Sequence, residues 1–89
     1  MNSKLEATLK TLRRLADVFK MACDWDALEA LEAAIKAMED TGKRFSPKEV
    51  SDALTDAADS LYKKYGTRGT VRYTPSQVME ILEKAGEQN

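Results

Sequence analysis

"RFSPKEVSDAL", residues 44–54, decides how the second half of this chain folds. Ser46 stands immediately before Pro47, and Glu49 follows Ser46 by three positions. A serine Oγ at such a place accepts a hydrogen bond from the backbone N–H three residues on, and the glutamate can reach back to the serine's own N–H. Proline at the first helical position already has the required φ, and the N–H it lacks would have had no helical partner. Phe45 and Val50, on either side of the cap, form a hydrophobic staple. The pattern predicts a helix that starts at Pro47. It recurs in "RYTPSQVMEIL", residues 72–82, with Thr74, Pro75, Gln77 and a Tyr73–Val78 staple in the same places. Shared capping rules explain the echo better than duplication, because too few residues match to make a repeat array.

Working outward, the third helix spans about 47–65, with Val50, Leu54, Ala57, Leu61 and Tyr65 inward and Gly66 as its stop. The fourth spans about 75–85, with Val78, Ile81, Leu82 and Ala85 inward and Gly86 as its stop. The segment "GTRGTVRY" between them reads as an ordered loop, with Thr70, Val71 and Tyr73 suited to one short bridge. In the first half, Leu5, Leu9, Leu12, Ala16, Phe19 and Cys23 recur at steps of four and three, which marks one face of a helix over about 4–23. Ser3 is its expected N-cap, with Glu6 closing the box. "CDWDAL" interrupts the pattern, and Asp24 or Asp26 caps a second helix over about 27–40, striped by Leu28, Leu31, Ile35 and Met38 and stopped at Gly42. Trp25 is expected to cover one end of the core; exposed, it would be an interface anchor. Four amphipathic helices with short connections predict an all-α, small four-helix bundle-like single domain over residues 1–89.

Composition narrows the function classes. The chain has 89 residues, of which 43% are hydrophobic and 33% charged, a balance that folds into one domain. Its net charge of −1 creates no global field for nucleic acid or an anionic membrane. No run approaches the ~20 apolar residues of a membrane span, and the start of the chain has no apolar signal core. The one cysteine, Cys23, has no partner for an internal disulfide, so a cytoplasmic location is expected. Cys23 lies on the apolar stripe and is expected to be a buried core thiol. Histidine is absent, which removes the usual general base near neutral pH and the commonest transition-metal ligand. With no glycine-rich phosphate loop and no catalytic constellation, the expectation is a non-enzyme with no cofactor and no metal. Glu49, Asp52, Asp56 and Asp59 share one face of the third helix, but a straight helix does not fold its oxygens around a cation, so the row reads as a solvated face.

Basic residues gather at the connections. Lys43, Arg44 and Lys48 flank the second, and Lys63, Lys64, Arg68 and Arg72 flank the third. If the two clusters lie together, Lys43, Arg44, Lys63, Lys64, Arg68 and Arg72 become candidate phosphate or nucleic-acid contacts beside helix N-termini. The plainer account is that cations near helix C-termini complement the helix dipole.

The stretch "LRRLADVF", residues 12–19, resembles the BH3 motif, the helix with which cell-death regulators occupy the groove of Bcl-2 family proteins. The matching positions are Leu12, Leu15, Ala16, Asp17 and Phe19, with Arg13 and Arg14 also in keeping; Thr8 stands where the family has an apolar residue one turn earlier. The resemblance covers roughly ten residues. It implies that Leu12, Leu15 and Phe19 fill groove pockets, that Asp17 pairs with an arginine, and that Ala16 permits close approach. At 100° per residue the apolar arc of this helix is wide. Leu15, Val18 and Ala22 flank one edge, and Leu9, Ala16 and Cys23 the other. Either the whole arc faces a core, or one edge is left for a partner. The expected function is a non-enzymatic protein–protein interaction module, a second copy of the chain being one such partner, with Leu12, Leu15, Asp17, Val18, Phe19 and Ala22 as candidate partner-binding residues. The alternatives are a nucleic-acid or phosphate-binding adaptor and a scaffold displaying a BH3-like helix. Exposure of Leu15 and Val18 would mark a docking edge; their burial would mark an ordinary core helix.

Overall fold

The computed structural model describes residues 3–66 and 73–87. They form four helices: α1 (Ser3–Met21), α2 (Trp25–Thr41), α3 (Pro47–Tyr65) and α4 (Pro75–Glu87). The fold is all-α, as the capping patterns predict. Ser46 Oγ accepts from the Glu49 N–H at 3.1 Å. The second box closes both ways, with Thr74 Oγ1 accepting from the Gln77 N–H at 3.2 Å and the Thr74 N–H donating to Gln77 Oε1 at 2.9 Å. Gly42 and Gly66 both take left-handed φ values, and their N–H groups close the last turns onto the carbonyls of Met38 and Tyr62. The expected bridge among Thr70, Val71 and Tyr73 falls largely outside the described residues.

Three helix ends differ from expectation. Ser3 lies inside α1 and is not its cap. α4 continues through Gly86 to Glu87, so Gly86 does not stop it. The end of α1 matters most. The helix finishes at Met21, and Cys23 adopts a left-handed φ of 58°. The Asp24 N–H donates to the Phe19 carbonyl at 3.0 Å, and the Cys23 N–H to the Lys20 carbonyl at 3.2 Å. These are the two bonds of a Schellman motif, with Cys23 where glycine usually stands. The reversed backbone turns the Cys23 side chain off the stripe, so the thiol is exposed and not part of the core. Asp24 then caps α2, accepting from the Ala27 N–H at 3.4 Å.

The four helices share one core, in which Leu12, Leu31, Met38, Val50, Val78 and Leu82 are fully buried. α2 is its centre, because Ala34 and Ala37 let neighbours approach closely. α1 packs mainly on α2, α2 on α4, and α4 on α3, whereas α3 touches α1 and α2 only lightly. The smallest dimension, 19 Å, corresponds to two helix layers. Thr8, on the buried side of α1, is satisfied: its hydroxyl donates to the Lys4 carbonyl at 3.0 Å and accepts from Arg44 Nε at 3.2 Å. Trp25 and Tyr65, both expected inside, are exposed. Trp25 opens α2 at the tip of the α1–α2 hairpin, and Tyr65 ends α3 where that helix has left the core. Among the described residues no helix is long and apolar enough to cross a membrane.

Candidate functional site

The loose seating of α3 leaves a groove. Its buried apolar residues, Val50 and Ala53, belong to its first half. Further along, Leu54, Ala57, Ala58 and Leu61 are only half-buried, and Tyr62 is exposed. The space between this part of α3 and the α1–α2 hairpin is a cavity of about 320 Å³, open to solvent. Leu15 and Phe19 line it from α1, Ala27, Ala30 and Leu31 from α2, and Val50, Leu54, Ala58 and Leu61 from α3. Tyr73, ahead of α4, lines it as well, and burial pushes its hydroxyl above the ordinary tyrosine pKa. Polar groups are few: Ser51 and Thr55 on α3, and Asp24, Asp26 and Glu29 around the start of α2. Volume, apolar lining and sparse polar groups are those of a binding cleft.

The groove does not stop at its mouth. Residues three or four apart on a helix are surface neighbours, so Leu15 leads to Val18 and Val18 to Met21 and Ala22. Val18 is 57% exposed and Met21 86% exposed, and Ala22 is also open to water. Trp25, 58% exposed, follows across the Schellman turn. Val18 thus flanks the groove wall, and Met21 and Trp25 are further exposed apolar side chains at the end of the hairpin.

The candidate residues of α1 therefore divide. Leu15 and Phe19 line the groove, and Val18 and Ala22 continue it. Leu12, in contrast, has 0% exposure and is a core residue, not a surface contact. Asp17 is exposed but lies about 160° around the helix from both Leu15 and Phe19 at 100° per residue, so it does not share their face. The surface thus offers Leu15, Phe19 and Asp17 on opposite sides, with Leu12 withdrawn. Sequence periodicity did not mark Met21, Trp25 or the α2 and α3 walls as part of this surface; the interrupted stripe at "CDWDAL" was the available signal.

Among the described residues, the basic side chains are not assembled into one cluster. Lys43 pairs with Glu83, and Arg44 donates to Thr8. Lys63 and Lys64 sit at the far end of α3, whose 19 residues rise about 28 Å, so helix length alone parts them from Lys43 and Arg44. Lys64 Nζ lies 5.3 Å from the centre of the Tyr65 ring, a cation–π contact at the surface. Arg68 and Arg72 lie outside the described residues. Glu49, Asp52 and Asp56 are exposed, and among the described residues no group of three or more possible ligands could hold a metal ion. No family model matches the chain, and no curated protein or solved structure is significantly similar to it.

Proposed function

We propose that this chain is a non-enzymatic protein–protein interaction module that receives a helix of its partner in the groove between the α1–α2 hairpin and α3. The observation that carries the reading is the open apolar groove lined by Leu15 and Phe19, on a hairpin that also exposes Val18, Met21 and Trp25. A monomeric domain gains nothing in stability from holding such side chains in water, whereas a partner that covers them removes apolar surface at about 25 cal/mol per Å² before the costs of association. Trp25 suits the role of anchor, since tryptophan is enriched among the residues that dominate binding energies. An exposed thiol at Cys23 suits a reducing compartment such as the cytoplasm. Use of α1 itself as a BH3-like ligand would have to draw Leu12 out of the core, which the groove reading does not require.

The test is selection of displayed helical peptides on the folded protein, with counter-selection on an Ala58→Phe variant that fills the groove. Peptides that bind the parent, shift the emission of Trp25 (the single tryptophan) and fail on Ala58→Phe are expected. Binders that ignore Ala58→Phe and Val18→Glu alike, or no binders, would remove the reading.

A further inference from the structure

We infer that the groove is the open state of a clamp, and that α3 tilts onto α2 to shut it. The motion belongs to the free domain and does not rest on the docking reading. Where a partner docks, closure competes with it.

The first argument is that the facing walls suit each other. Ala27 and Ala30 line the groove from α2. They stand seven positions before Ala34 and Ala37, so all four share one face of the helix. Ala34 and Ala37 are sealed in the core, whereas Ala27 and Ala30 are only half-buried. One alanine face is thus packed closely at one end and left open at the other. The α3 wall presents Leu54, Ala58 and Leu61 at steps of four and three, the spacing with which a helix packs on a neighbour. Large side chains opposite small ones interdigitate, and alanines allow helix axes to approach to about 8 Å. Each wall is therefore a fitting cover for the other. Ser51 and Thr55 also line the groove, and their hydroxyls can turn to carbonyls of their own helix as it shuts.

The second argument is how α3 is held. Its sealed residues, Val50 and Ala53, lie in its first half. Leu54, Ala57, Ala58 and Leu61 beyond them are half-buried. Leu61 stands eleven residues past Val50, a lever of about 16 Å. Spread over that length, the cavity of about 320 Å³ is a channel about 4–5 Å across. A tilt of about 15° about Val50 carries Leu61 through about 4 Å, which is enough to close it. Closure exchanges part of the contact of α3 with α4 for contact with α2. Two packings that trade similar apolar areas lie close in free energy, which is the condition for a two-state element.

Relaxation-dispersion NMR on the full chain, labelled at methyl groups, tests the inference. Methyls of Leu15, Leu54, Ala58 and Leu61 are expected to exchange on the μs–ms timescale with a minor state of about 1–10%. Leu12, Val78 and Leu82, sealed in the core, should stay flat. The minor state should keep helical Cα shifts over residues 57–61, because a clamp moves as an intact helix. Ala58→Phe, or Ala30→Met on the facing wall, holds α3 away and should abolish the dispersion at Leu15 and Leu54. Flat groove methyls in the parent, coil-like Cα shifts in the minor state, or dispersion undiminished in the folded variants each overturns the inference. The docking reading is decided separately by peptide selection. A rigid groove that still selects peptides leaves that reading standing and removes this one, and a moving clamp that selects none does the reverse.

Discussion

Leu12 and Val18 lie six positions apart on α1, and the fold assigns them opposite roles that mutation can separate. Leu12 has no exposed surface and belongs to the shared core. Leu12→Ala removes its buried methyl groups and leaves a cavity, a change that costs about 2–5 kcal/mol in well-packed cores. A value near 3 kcal/mol is a large part of the total for a domain of this size, which is on the order of 4–13 kcal/mol. It corresponds to a fall in Tm of about 12–24 °C. Val18 is 57% exposed, so Val18→Glu forfeits less than half of the roughly 1.5–3 kcal/mol that full burial of such a side chain contributes. Glutamate recovers a few tenths of a kcal/mol in helix propensity, and a little more from Arg14 one turn earlier. The expected change in stability is within about 1 kcal/mol. Urea unfolding followed by circular dichroism measures both variants, and peptide binding is then measured on the folded Val18→Glu protein, where loss is expected. A loss above about 2 kcal/mol for Val18→Glu, or near-neutral behaviour of Leu12→Ala, would refute the division of α1 into a core face and a docking edge.

Cys23→Gly should stabilise the domain. It relieves a left-handed backbone that costs a residue with a Cβ about 1–2 kcal/mol, against the roughly 0.4–1 kcal/mol by which glycine favours the unfolded chain. A gain of about 0.5–1 kcal/mol, seen as a Tm higher by a few degrees under reducing conditions, is the expected outcome; a loss above 1 kcal/mol would instead indicate a buried thiol. Tyr73 provides a pH test. Its pKa is raised by burial in the folded state, so the fold favours the neutral phenol. Stability is therefore fully present below the pKa of the unfolded chain, near 10, and is lost as pH rises through the higher folded value. Tyr73→Phe should flatten that alkaline limb in denaturation measured across pH, and an unchanged limb would show that Tyr73 does not contribute to it.

The sequence by itself determined the elements. Ser46, Pro47, Thr74, Pro75 and Gln77 fix two helix starts, and Gly42 and Gly66 two helix ends, because capping bonds join residues three or four apart and need no tertiary partner. Periodicity likewise placed Leu9, Leu12, Leu31, Met38, Val50, Val78 and Leu82 in a core. It could not say which edge of a wide apolar arc goes uncovered, since that depends on how closely a neighbouring helix lies. Here α3 leans on α4 and leaves the α1–α2 hairpin half open, so Leu15 and Phe19 become a groove wall while Leu12 is sealed. Cys23 was misplaced for a different, local reason. A stripe extrapolated past Met21 assumes a helix that continues, and the left-handed turn at Cys23 ended it. The apolar character of the "TLRRLADVF" helix was therefore written in the chain. Its division into a buried face and an exposed edge was decided only when four helices packed around Ala34 and Ala37, with α3 too far from the hairpin to close the last side.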